Sequence, residues 1–212
     1  MFKTKRTGLT TMKRAAKRED LKDRLIEAAE ARIRASGLQG LRARDVTADA
    51  GCALGALYNA FADLDDLILH VNSVTLASLG AALDREAARA IEPRAKFKAL
   101  AKAYLTFARD NRALWTALFE HRLQPGTTAP DWYLQEQAVL IQDLVAPLSA
   151  LRPELDKSAL LVRARTLFSA VHGIVAISLE DRFIGLAPTD LEHEVLSFVD
   201  SMVTGIEKTT QE

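Results

Sequence analysis

Apolar side chains in this chain recur at spacings of three and four and nowhere alternate for long, a period that confines it to α-helices packed on one another. Leu21, Leu25, Ala28, Ala29 and Ile33 set a first helix over 19–36, with Gly37 placed to end it in a left-handed turn. Two short helices fit 43–50 and 54–60, with Gly51 between them. Asp63 is suited to cap a long helix reaching residue 90, whose stripe is Leu64, Leu67, Ile68, Val71, Thr75, Leu79 and Leu83. Further helices are expected over 93–110, 111–121 and 131–151, the last kinked or ended early by Pro147. Pro125, Gly126 and Pro130 mark the loop before it. Two long helices, 154–182 and 189–208, close the chain around Gly185 and Pro188.

The 212 residues are 49% apolar and 26% charged with few Gly and Pro, which excludes disordered and collagen-like classes. One cysteine, Cys52, allows no internal disulfide, fits a reducing compartment and reads as a small apolar filler. The charged N-terminus has no apolar stretch behind it and does not read as a signal peptide. The longest apolar run, 167–179, contains His172 and is too short to cross a bilayer, so the expected location is the cytoplasm, with no membrane partner. Net charge is zero, yet residues 1–24 hold nine Lys/Arg against three acidic residues, and residues 63–212 are net acidic. A basic end on a neutral or acidic body suits polyanion binding; a merely solvated basic tail is the plain alternative.

The last two helices carry more apolar surface than one neighbour can cover. The penultimate one is apolar on nearly every side in its second half, and the last has two adjacent stripes, Leu191/Val195/Phe198/Met202 and Leu196/Val199/Val203/Ile206. A homodimer through a four-helix bundle is expected, with Val171, Ile174, Val195, Phe198, Val199 and Met202 in its interface.

The segment 37–61, GLQGLRARDVTADAGCALGALYNAF, resembles the DNA-binding domain of the TetR family without a gap. The likeness rests on the glycine ending the first helix, the Arg-acidic-aliphatic triplet, the turn glycine, the Gly-x-Leu-Tyr run and the closing phenylalanine, and it extends over residues 20–68. It implies an all-α fold: a basic, flexible arm at 1–18, a three-helix helix-turn-helix domain at 19–66, and a long helix leading into a ligand-binding and dimerisation domain at 67–212. Read from the residues themselves, Val46, Ala50, Leu57 and Phe61 are spaced to form the small core that fixes two short helices, while Gly51 tolerates the turn. The second short helix then presents Leu54, Gly55, Tyr58 and Asn59 outward. Gly55 permits close approach, Tyr58 reaches a phosphate and Asn59 a base edge; Arg44 suits the backbone or a guanine, and Arg42 a phosphate. Half-buried packing for Tyr58 and a helix cap for Asn59 are the plain alternatives. Ala43, Ala53, Ala60 and Leu64 stand where the family often has phosphate donors or an aromatic, so either DNA binding is weaker or the basic N-terminal segment, with Lys13, Arg14, Lys17 and Arg18, supplies the charge instead.

Phe168-Ser-Ala-Val-His172-Gly173 resembles the Trp-x-x-x-His-Gly pattern of one group of C-terminal regulatory domains, with Phe168 at the tryptophan position. Together with Tyr104, Trp115, Phe119 and Trp132 it nominates an effector site for a small apolar molecule, His172 lending one polar contact. The plain alternative is hydrophobic core for the five aromatic residues and a buried, hydrogen-bonded structural role for His172. His70, His121, His172 and His193 have no metal-ligand spacing, and no phosphate loop, dinucleotide fingerprint or paired catalytic carboxylates occur. No metal, cofactor or enzymatic activity is expected. The function these features imply is a homodimeric repressor released from an operator by an effector; the alternatives are an effector-independent DNA-binding dimer and, more remotely, a helical carrier or enzyme.

Overall fold

The computed structural model describes residues 5–180 and 184–208, and every regular element among them is helical. In chain order these are α1 (Lys5–Ser36), a 3-10 turn (Leu38–Gly40), α2 (Ala43–Asp49), α3 (Leu54–Ala60), α4 (Leu64–Ala87), α5 (Pro93–Asp110), α6 (Arg112–Glu120), α7 (Asp131–Leu151), α8 (Lys157–Leu179) and α9 (Pro188–Lys208). Local chemistry sets most boundaries. Gly37 and Gly51 adopt φ of 68° and 64°, the region a glycine enters without strain, and so end α1 and turn the chain between α2 and α3. Asp63 accepts from the Asp66 amide at 2.7 Å and caps the start of α4, while the Asp66 side chain accepts from the Ala62 amide, before the cap, at 2.9 Å. Pro93 opens α5, and Asp156 caps α8 through the Ala159 amide at 2.8 Å.

The largest difference from the boundaries read in the sequence is at the start of α1. Helix α1 starts at Lys5, so residues 5–18 are helix and not arm; Lys, Arg and Ala favour helix even where no apolar stripe announces one. Helix α7 spans Asp131–Leu151, the extent read from the sequence, with Pro147 inside it.

The chain divides into two compact units, residues 1–75 with 116–128, and 76–115 with 129–212. The division falls within α4 at Thr75, nine residues beyond the boundary expected at 66, and returns α6's C-terminal half and the following loop to the first unit.

In the first unit, α1, α2 and α3 pack on one another around Leu25, Ala29, Ile33, Val46, Leu57, Phe61 and Leu67, all fully or nearly fully buried. Arg32 forks onto both carboxylate oxygens of Asp49 at 2.5 and 2.8 Å, and Arg24 donates to the Ala50 carbonyl at 2.7 Å, so α1 grips the C-terminal end of α2 twice. In the second unit, α5 lies along α9, and α7 packs on α8 and α5. One apolar stripe of α9, Leu191, Val195, Val199, Val203 and Ile206, faces inward. Arg94 binds Asp200, Thr204 and Glu207, while Lys98 reaches Asp200 and Lys102 reaches Glu192, fixing how α5 and α9 slide along each other.

Asn72, in α4, is 1% exposed, and neither its amide oxygen nor its nitrogen finds a partner among the described residues. A buried polar group left unpaired costs about 1–3 kcal/mol. Asn72→Leu, of similar shape, is therefore expected to raise stability by ~1 kcal/mol, read as a higher urea midpoint at unchanged slope.

Candidate DNA-reading face and effector cavity

In the first unit the core takes Val46, Ala50, Leu57 and Phe61, as their spacing requires, and this decides which residues α3 shows to solvent. Leu57 and Ala60 face in; Leu54, Gly55, Tyr58 and Asn59 are exposed, Tyr58 by 53%. A Cβ built on Gly55 meets nothing within 4 Å, so no internal packing requires a glycine there. Arg44 on α2 is exposed, as are Lys17 and Arg18 on α1; the side chains of Lys13 and Arg14 lie outside the described residues. Arg42 is exposed too, but its Nη1 donates to the Gln39 and Leu41 carbonyls at 2.8 and 2.9 Å. It closes the 3-10 turn before α2, a local role the sequence reading missed, and its remaining donors alone are left for a phosphate.

In the second unit a largely apolar cavity, with about 50 Å³ open to the centre of a water-sized sphere, lies among α4, α5, α7, α8 and α9. Phe97, Leu100 and Tyr104 of α5, Leu140 and Asp143 of α7 and Leu167 and Phe168 of α8 line much of it. Of the six residues nominated from sequence, Tyr104 and Phe168 line this space. Trp115 and His172 stand behind them: Trp115 Nε1 donates to the Tyr104 hydroxyl at 3.0 Å, and that hydroxyl lies 2.7 Å from His172 Nδ1. The indole nitrogen can only donate, so the Tyr104 hydroxyl accepts from Trp115, and it shares a second hydrogen bond with His172 Nδ1 whose direction follows the imidazole tautomer. His172 also stacks on Phe168, with ring centres 5.7 Å apart. Its Nδ1 therefore serves Tyr104 and not a ligand. Phe119 belongs to the first unit, and Trp132, half-buried, packs edge-on against Tyr133; neither lines the cavity. The sequence reading missed Asp143, the one carboxylate among the described lining residues.

The residues nominated for a subunit interface also separate. Val171, Val195 and Val199 are buried in the protomer's own core at 9%, 0% and 3% exposure, so no partner can reach the last two; Val171, Val199 and Met202 line the cavity. Ile174 and Phe198 are half-exposed. Helix α8 has the composition of a buried helix, with mean hydropathy 1.5 over its most apolar stretch, yet only 28% of that stretch is buried, and Val162 and Ile177 are exposed by 61% and 36%.

Comparison with known proteins places these features in context. Residues 97–203 match the family model of the tetracyclin repressor-like C-terminal domain. No curated protein matches the sequence. Among solved structures, PfmR, a TetR family transcriptional regulator from Thermus thermophilus, superposes with a TM-score of 0.59 at 16% identity, covering 85% of this chain and 97% of its own. RolR in complex with resorcinol gives 0.66 at 18%, covering 92% and 94%. The regulator FadR from Bacillus subtilis, in complex with stearoyl-CoA, gives 0.66 at 14%, covering 84% and 97%.

Burial holds His172 below the ordinary histidine range, and burial does the same to His121 in the first unit against the opposing pull of Asp65 and Asp63. Both are neutral in the fold near neutral pH, whereas the unfolded chain takes up protons as pH falls through about 6.5, so the unfolded state binds more protons there. Stability is then complete above about pH 6.5 and declines on acidification. The melting temperature is expected to fall between about pH 7 and 5, with a shallower fall in His172→Gln. A profile identical in the variant would remove His172 from the account.

Proposed function

The chain belongs to the TetR family of transcriptional regulators, and from that premise we propose that it is a homodimeric repressor that α3 seats on an operator and a small effector releases. The observation that carries this reading is the outward face of α3, where Leu54, Gly55, Tyr58 and Asn59 are exposed beside Arg44 with no internal task. A seven-residue helix held by its other face suits insertion in a major groove: Asn59 addresses a base edge, Tyr58 a phosphate, Arg44 a guanine or the backbone. Lys17 and Arg18, with Lys13 and Arg14 earlier in α1, add salt-dependent affinity for the backbone.

Two further points support the rest of the reading. An apolar helix as little covered as α8 needs a partner surface, and a second copy supplies one through Ile174, Ile177, Val162 and the edge of α9 at Phe198. Two copies related by a two-fold axis require an operator of two inverted half-sites. The cavity supports the effector, and RolR and FadR, similar in fold, are each in complex with a small molecule. Helix α4 passes unbroken from the reading unit into the cavity unit, so a ligand that prefers one position of α4 biases both. A coupling of ~1–3 kcal/mol weakens operator binding by ~5–150-fold. The protein then works where chromosomal DNA is, in the cytoplasm, without enzymatic activity.

Gly55→Leu tests the reading face. The added side chain has open space within the protomer, so the fold and melting temperature are expected to hold while affinity for a selected operator drops at least tenfold in mobility-shift titration; retained affinity would refute α3 as the reading helix. Ile174→Glu with Ile177→Glu tests the dimer. Sedimentation at half the wild-type mass with helicity retained is expected, whereas Val199→Glu should unfold the protomer itself.

A further inference from the structure

The polar content of the cavity is more restrictive than its size. No Lys, Arg or His is among its described lining residues, and the Tyr104 hydroxyl is committed to Trp115 and His172. The remaining ionisable group is Asp143, on α7. Its Oδ2 is buried and has no hydrogen-bond partner among the described residues. A buried acceptor without a donor is costly and uncommon, which calls for a partner that enters the site. Pro147, four residues on, removes the N–H that would close the helical bond onto the Asp143 carbonyl, so the same residue has a second acceptor short of its usual donor.

We propose that the cavity binds an apolar monocation, an amine whose ammonium group pairs with the Asp143 carboxylate while its hydrocarbon or aryl body lies among Phe97, Leu100, Leu140, Leu167 and Phe168. This deepens the effector reading above and rests on it. An ammonium brings several donors to an oxygen that lacks one, and Phe97, Tyr104 and Phe168 line the same space, where aromatic rings attract a cation. An anion fares worst, since no donor or cation in the lining receives it and Asp143 repels it. The site therefore differs in charge preference from any that receives a carboxylate or phosphate. Burial, and the neighbouring charge of Asp84, raise the Asp143 carboxyl above its ordinary range, as expected of a carboxylate awaiting a counter-charge.

The test uses three probes on one skeleton, 4-phenylbutylamine, 4-phenylbutanol and 4-phenylbutyrate, titrated calorimetrically into the full-length protein at neutral pH. The amine is expected to bind on the order of tenfold to a hundredfold more tightly than the alcohol, with the carboxylate weakest. Asp143→Asn, of nearly identical shape, should collapse the gap between amine and alcohol while retaining the alcohol; should the variant not fold, the wild-type ranking decides alone. If the alcohol binds as well as the amine, or the carboxylate binds best, the charge assignment is overturned and the effector reading stands. If none of the three binds, the cavity is not an effector site and both fall.

Discussion

Helices α2 and α3 are seven residues each, far below the length at which an isolated helix persists in water, so everything they present to solvent depends on what holds them. Three things do. Val46, Leu57 and Phe61 fill the angle between the two helices and the underside of α1, the Arg32 fork fastens Asp49, and Arg24 occupies the Ala50 carbonyl where α2 ends. Because the buried positions consume one face of α3 completely, the opposite face is fixed in identity and direction. Leu54, Gly55, Tyr58 and Asn59 are outside because Leu57 and Ala60 must be inside. The surface proposed to read DNA is a consequence of core packing.

The second unit solves a different problem, keeping an apolar space open among helices that would gain by closing it. Tyr104 is held on both sides, by the Trp115 indole and the His172 imidazole, so its ring forms a fixed wall. The ion pairs from Arg94, Lys98 and Lys102 to α9 hold α5 in register from the solvent side without placing a charge in the interior. Against that background one carboxylate, Asp143, stands out, and the chemistry of the proposed effector follows from it alone.

Much of this was legible in the sequence. The four-residue core of the two short helices, the turn at Gly51 and the full extent of α5 followed from spacing and from Gly and Pro, because those features act locally. What escaped was, apart from the start of α1, non-local. The basic first half of α1 carries no apolar stripe, so periodicity could not see it. Helix α9 has two adjacent stripes, and only packing on α5 and α8 decides that Val195 and Val199 face inward, away from any second subunit. Asp143 reads in sequence as one more polar residue on an amphipathic helix; its meaning depends on α4, α5 and α8 closing around it. His172 was visible as a singular polar group in an apolar run, but its engagement with Tyr104 required the fold.

The central claim is that one molecule holds two sites whose occupancies oppose each other, and thermodynamic reciprocity offers the most direct test. The dissociation constant of 4-phenylbutylamine should be measured for the free protein and for the protein saturated with an operator selected from random duplexes, alongside that of the operator with and without saturating amine. The account predicts that each ligand weakens the other by the same factor, in the range of ~5–150-fold. An amine that binds equally tightly to free and operator-bound protein would contradict it.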